Sequence, residues 1–147
     1  MEINAKSAIL IEPKSGTVLY EMNADERLAP ASITKIMSLL LIMEAIDTGR
    51  ITLETVITAS EHACSMGGSQ IWLEPNEQMT VHELLKSVVV SSANDAAVAL
   101  AEAISGSEEA FVVRMNARAA ELGMQNTHFE NTNGLDDTTE NHLTSAR

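Results

Sequence analysis

Between Ser32 and Gly49 the chain carries Ile33, Ile36, Met37, Leu39, Leu40, Leu41, Ile42, Met43 and Ile46, a stretch with helical spacing that is apolar nearly all round. A helix of this kind has no face to offer water, so it is expected at the centre of a domain, covered on several sides. Pro30 and Ser32 supply its entry and Gly49 its exit. Its longest apolar patch, Ile36 to Ile46, is too short to span a bilayer and contains Ser38 and Glu44.

The rest of the chain must supply that cover. Ala8 to Ile11 and Thr17 to Tyr20 are short, partly β-branched runs separated by Glu12-Pro13-Lys14-Ser15-Gly16, the composition of a tight turn, which predicts an opening β-hairpin. Two strands alone are marginal in water, so this hairpin needs more strands or a helix to lie against. Val56 to Thr58 is a short strand candidate. Thr80-Val81-His82-Glu83 has the pattern of a capping box, and Val81, Leu84, Leu85, Val88 and Val89 follow it as one buried stripe. After Ser91-Ser92, the alanine-rich segment from Asn94 to Ile104 predicts a helix that neighbours can approach closely, ended by Gly106. Ser107-Glu108-Glu109 opens one more, with acid at its positive end and Phe111, Met115 and Leu122 before Gly123. Gln125 to Asn141 is rich in Asn, Thr, Asp and His and reads as loop. The expected class is α+β, an N-terminal β-hairpin plus a predominantly helical region, in one domain of 147 residues.

Charge and composition exclude several functions. The formal charge of −12, from 21 acidic and 9 basic residues, comes without any Lys/Arg cluster to follow a phosphate backbone, so no nucleic-acid partner is expected. With Phe 2, Tyr 1 and Trp 1 there is no series of aromatics on which bases or sugars could stack. The one cysteine, Cys64, has no basic neighbour in sequence to activate it and reads as structural, and the eight methionines read as core filler. His62, His82, His128 and His142 show no metal-ligand spacing, so neither a metal nor another cofactor is expected. Glu108-Glu109 and Asp136-Asp137 are most simply a helix start and a solvated loop. Met1 to Lys6 has neither the basic flank nor the apolar run of a secretory signal, an appearance that a processed exported chain shares.

Two spacings carry chemistry. Ser32-Ile33-Thr34-Lys35 puts a hydroxyl and an amine three positions apart at a helix start, where i and i+3 share a face. A buried lysine loses its proton readily and can then activate the serine, while backbone N–H groups at the helix start can steady an oxyanion. Taken alone, Ser32 also suits an N-cap and Lys35 a solvated first-turn position. Ser92-Ala93-Asn94 lies downstream between two predicted helices, where Ser and Asn again suit caps.

Together, SxxK followed by SxN is part of the signature of penicillin-binding proteins and class A β-lactamases. The likeness extends further. Pro30 to Met37, Gly67-Gly68-Ser69-Gln70, Glu77-Gln78-Met79-Thr80, Ser92 to Ala96, Met115 to Ala119 and Asn133-Gly134-Leu135 resemble, in order, the serine D-alanyl-D-alanine carboxypeptidases, the low-molecular-weight penicillin-binding proteins. The resemblance implies a β-lactamase/penicillin-binding transpeptidase-like fold, extracytoplasmic work on peptidoglycan stem peptides ending in D-Ala-D-Ala, and acylation by β-lactam antibiotics. It makes Ser32 the acylated nucleophile, Lys35 its base, Ser92 the proton relay to the departing D-alanine, and Asn94 the residue that holds the substrate amide and orients Lys35.

The chain departs from the family at the third element, a Lys-Thr-Gly-type triplet on a strand beside the nucleophile. Lys14-Ser15-Gly16 imitates it but sits in the opening turn after Pro13, and is given no catalytic role. Residues 1–147 are therefore expected to form an incomplete catalytic domain, lacking the C-terminal strands and leaving a hairpin edge that recruits another chain. Two other readings stay open: a β-lactamase, which needs a carboxylate to drive deacylation, or a non-catalytic, self-associating fragment.

Overall fold

The computed structural model describes residues 3–135 and 140–147. Asp136-Asp137, read above as solvated loop, lies outside the described residues. The hairpin forms as the sequence predicts: β1 (Ala8–Ile11) pairs antiparallel with β2 (Val18–Met22), Ala8 opposite Met22, with an irregularity between Leu10 and Ile11. Its turn is held by the Glu12 carboxylate, which accepts from the backbone N–H groups of Lys14 and Ser15 at 3.0 and 2.6 Å. A 3-10 turn, Ala31–Thr34, leads into α1 (Lys35–Asp47). A second antiparallel pair joins β3 (Val56–Thr58) to β4 (Gln78–Thr80), with the short α2 (Glu61–Cys64) between them. Then come α3 (Val81–Ser91), α4 (Asn94–Ser105) and α5 (Glu108–Glu121). Both halves of the predicted capping box at Thr80 and Glu83 are made.

The central helix is α4. Nine of its residues are buried, and it packs on α1, α2, α3, α5 and β3. Its run of alanines is what permits so many neighbours, since a small side chain lets another backbone come close without opening a void. This corrects the expectation that α1 holds the centre. One side of α1 buries Met37, Ser38, Leu41, Ile42 and Ala45, while Ile33, Ile36 and Met43 are 65, 68 and 47% exposed. Its packing partners α4 and α5 stand against the buried side. On the open side, Ile33, Ile36 and Leu40 face Leu122, Met124 and Phe129 across a groove of about 340 Å³. The hairpin is likewise uncovered, with Leu10 and Leu19 at 52 and 62% exposure.

The segment after α5 is irregular, as expected, yet it is not a surface loop throughout. Phe129, Thr132, Asn133, Gly134 and His142 are buried. Isolated bridges tie His128 to Leu143 and Leu28 to Thr144. Buried polar groups need partners, and here they have them: the His142 ring lies 2.7 Å from the Thr34 hydroxyl, inside the SxxK turn, and its Nδ1 accepts from Glu130 N–H at 3.0 Å. Among the described residues no helix is long and apolar enough to cross a membrane.

Candidate active site

Ser32 and Lys35 meet because the chain enters α1 through a 3-10 turn, in which side chains three apart eclipse one another. The Lys35 Nζ stands 3.2 Å from Ser32 Oγ. Ser32 is exposed, whereas Lys35 is only 4% exposed, so the hydroxyl faces solvent and the amine sits behind it. Ser32 caps nothing: neither the 3-10 turn nor α1 has a side-chain cap. The residue before it, Ala31, takes a left-handed backbone with φ +47°, a conformation that costs a non-glycine residue about 1 kcal/mol or more and that concentrates at functional sites.

Burial pushes the Lys35 amine down from 10.5 to about 8, because removing water penalises the ammonium form. Among the described residues no ion pair involves Lys35 to oppose this. Its second hydrogen bond runs to the backbone carbonyl of Asn133 at 2.9 Å. A neutral amine has two N–H groups and one lone pair. With one N–H committed to Asn133, the lone pair can turn to the Ser32 hydroxyl, and the bond between them then runs from Ser32 Oγ–H to Nζ.

The family likeness includes Asn133 and Gly134 but implies no role for them. The structure makes residues 131–135 the wall beside the SxxK turn. Asn131 shapes it, its Oδ1 accepting from Gly134 N–H at 2.7 Å and its Nδ2 donating to the Leu135 carbonyl at 2.7 Å. Gly134 has φ +82°, and a Cβ there would overlap the Ala31 carbonyl, so only glycine lets this loop approach the nucleophile's backbone. The Thr132 carbonyl accepts from Ser38 Oγ at 2.6 Å. The only local signal for this arrangement is the turn-forming composition Asn131-Thr132-Asn133-Gly134.

Ser92 and Asn94 lie at the junction of α3 and α4. Ser92 ends α3 with φ +54° and ψ 35°, and α4 starts from Ala93 with no side-chain cap, so neither Ser92 nor Asn94 serves as one. Asn94, 4% exposed, donates its side-chain N–H to the Gly67 carbonyl at 2.7 Å, and its backbone N–H to the Ser69 carbonyl at 2.7 Å. Gly68, at φ +73°, leaves the room this needs: a Cβ there would stand 2.9 Å from Asn94 Nδ2. The fully buried Asp95 extends the grip, accepting from Ile71 N–H and Leu73 N–H at 3.2 and 3.1 Å. The 131–135 loop borders both motifs. Its Asn133 carbonyl holds Lys35, and its Leu135 side chain lies against Gly67 and Gly68, the segment that Asn94 holds. Among the described residues no hydrogen bond joins Asn94 directly to Lys35.

Other candidates fall outside this region. The hydrogen bonds of Lys14-Ser15-Gly16 stay within residues 12–17 of the hairpin turn. Cys64 is half-buried, and burial, with Asp95 and other carboxylates, pushes its thiol up, away from the reactive thiolate.

A sequence profile of the peptidase S11 family, described as D-alanyl-D-alanine carboxypeptidase, matches residues 1–147. The chain is 61% identical over 142 residues to the D-alanyl-D-alanine carboxypeptidase DacF of Bacillus subtilis, covering 97% of this chain and 36% of that protein. It is 40% identical over 140 residues to DacC of Escherichia coli, covering 91% of this chain and 35% of that one. The fold is similar to penicillin binding protein 5 of Haemophilus influenzae, with a TM-score of 0.94 at 38% identity over 99% of this chain and 43% of that structure. The chain thus spans about a third of the length of the curated relatives it matches, and over that span, in sequence and in fold, it belongs to the D-alanyl-D-alanine carboxypeptidase family.

Proposed function

We propose that this chain supplies the acyl-transfer chemistry of a serine D-alanyl-D-alanine carboxypeptidase acting outside the membrane on peptidoglycan stem peptides. The observation that carries the reading is the buried Lys35 amine, with a pKa of about 8, set 3.2 Å from an exposed serine hydroxyl. Ser32 Oγ attacks the carbonyl carbon of the penultimate D-alanine as Lys35 Nζ takes its proton. The peptide C–N bond breaks, and the departing D-alanine amine receives a proton relayed through Ser92. Water then hydrolyses the ester. In a β-lactam the broken C–N bond is part of the ring, so the leaving group stays attached and the ester persists. Asn94 has its amide N–H on Gly67, which fixes which way the group faces, and its Oδ1 is then available to accept from the substrate amide. The names of the relatives, D-alanyl-D-alanine carboxypeptidases and a penicillin binding protein, support both substrate classes.

Residues 1–147 contain no Lys-Thr-Gly, and Lys14-Ser15-Gly16 is spent on the hairpin turn. The exposed Leu10 and Leu19 on a two-stranded sheet support a second property, self-association through the free edge of the hairpin.

Labelling with a fluorescent penicillin tests the chemistry. The unaltered chain takes up the label and keeps it, and Ser32→Ala takes up none. Equal labelling of both would remove the serine from the mechanism, and rapid release of the label would point to a β-lactamase. Size-exclusion chromatography across a concentration series reads the self-association.

A further inference from the structure

We propose that Glu108 is a positioning residue for this chemistry, its carboxylate fixing the 131–135 loop so that the Asn133 carbonyl meets the Lys35 amine. The inference rests on the reading of Lys35 as the base.

Glu108 opens α5, where an acid is expected to face the free N–H groups of its own helix. Its neighbour Glu109 does that, taking its own backbone N–H and the Ser107 hydroxyl. Glu108 spends its oxygens elsewhere. Oε1 accepts from Thr132 N–H at 3.0 Å and from Thr132 Oγ1–H at 2.8 Å, and Oε2 meets His62 Nε2 at 2.7 Å. The side chain is 12% exposed, and a carboxylate so far out of water is stable only with such partners.

The consequence lies one residue on. Thr132, with no exposed surface, has its N–H and hydroxyl on Glu108 and its carbonyl on Ser38 Oγ at 2.6 Å. Every polar group of the residue before Asn133 is therefore held. The planar peptide that carries the Thr132 carbonyl also fixes the Asn133 nitrogen, and the next peptide, which carries the Asn133 carbonyl, is held by Asn131 Oδ1 on Gly134 N–H at 2.7 Å, so the two grips together aim that carbonyl at Nζ, 2.9 Å away. Bonds to a carboxylate are shorter and stronger than those between neutral groups, which suits an anchor for a loop without secondary structure. The bond to His62 on α2 ties the same carboxylate to the helix that precedes the 66–70 loop, the segment Asn94 holds from the other side.

The test reads Lys35 itself. The chain has four lysines, Lys6, Lys14, Lys35 and Lys86, so ¹³Cε-lysine labelling gives a spectrum of few resonances in which the one lost in Lys35→Met is that of Lys35, with a midpoint expected near 8 instead of the ordinary 10.5. In Glu108→Ala the loop swings off and water reaches Nζ; the Lys35 midpoint moves up toward 10.5, and penicillin acylation slows by about tenfold or more, part of what a positioned base contributes. Glu108→Gln keeps an oxygen for Thr132 and stays within about threefold of the native rate, with the midpoint near 8. A folded Glu108→Ala protein whose Lys35 midpoint and acylation rate match the native ones overturns the proposal. Should that variant not fold, Thr132→Val carries the test: it removes only the hydroxyl bond, and an unchanged midpoint there is equally fatal. The titration does not require acylation, so a native Lys35 midpoint near 10.5 counts against the proposed function, and a native midpoint near 8 that these variants leave in place counts against Glu108 alone.

Discussion

Ser32–Lys35 and Ser92–Asn94 look alike in sequence, each a serine followed closely by a nitrogen-bearing side chain at the start of a helix, but the structure uses them differently. Lys35 is buried against an exposed hydroxyl, with no carboxylate among the described residues paired to it, so its burial changes its chemistry. Asn94 is buried to the same degree, but its amide and backbone N–H groups go to the carbonyls of Gly67 and Ser69, so its burial braces a loop. The difference is one of reserve: the first pair leaves the Lys35 lone pair free for chemistry, while the second commits the Asn94 N–H groups to the 67–69 segment.

The contrast is broken most forcefully at the first pair. Lys35→Met keeps most of the volume and removes the base, so acylation by a fluorescent penicillin is expected to fall by about 10²–10⁴-fold. Thermal stability should hold or rise, because a buried cation without a counter-charge is removed. A variant that acylates within about tenfold of the native rate would put the base elsewhere.

The second pair should answer in the opposite sense. Asn94→Ala leaves the Gly67 carbonyl without its donor and is expected to cost about 1–3 kcal/mol of stability. Its effect on acylation should be smaller than that of Lys35→Met. Denaturant unfolding beside the labelling rate checks both halves; a variant as stable as the native chain but as slow as Lys35→Met would make Asn94 a chemical residue and erase the distinction.

How far each pair could be read from sequence follows from how local its determinants are. The hairpin, the capping box at Thr80 and the helices α3, α4 and α5 are written in adjacent residues, and they appear where those residues place them. Gln78-Met79-Thr80 carries no strand pattern of its own, and becomes β4 only because Val56-Ile57-Thr58 lies beside it. The open side of α1 was equally unreadable, since its apolar residues do not say which of them a neighbour will cover. Ser32 and Lys35 were legible through their spacing, three apart on one turn. Asn133 and Glu108 were not: the bond from Lys35 to Asn133 spans 98 positions and that from Thr132 to Glu108 spans 24, and nothing near any of these residues announces its partner. The buried tail shows the same limit, because polar residues such as Thr132 and His142 look like surface loop until distant groups satisfy them.

The smallest effect sharpens the comparison through pH. Lys35 in the folded chain loses its proton near 8, against 10.5 for an ordinary lysine. Below pH 8 the folded and unfolded chains both hold that proton, and the full cost of burying the ammonium is present. Between about 8 and 10.5 the unfolded chain binds more protons at this site than the folded one, so stability rises with pH across that window. Above it the cost is gone. The depth of burial sets a ceiling of about 3 kcal/mol on the effect, and solvent screening beside the exposed Ser32 lowers it to about 1 kcal/mol. Other groups titrate in the same range, so the quantity to measure is the stability of Lys35→Met minus that of the native chain, from urea unfolding at several pH values. That difference is expected to favour the variant at pH 7 and to shrink as the pH passes through the window, whereas the Asn94→Ala difference stays flat because no proton is involved. A Lys35→Met difference that is also flat would mean that the buried amine keeps its proton like any surface lysine, and the two motifs would then be alike in function as well as in sequence.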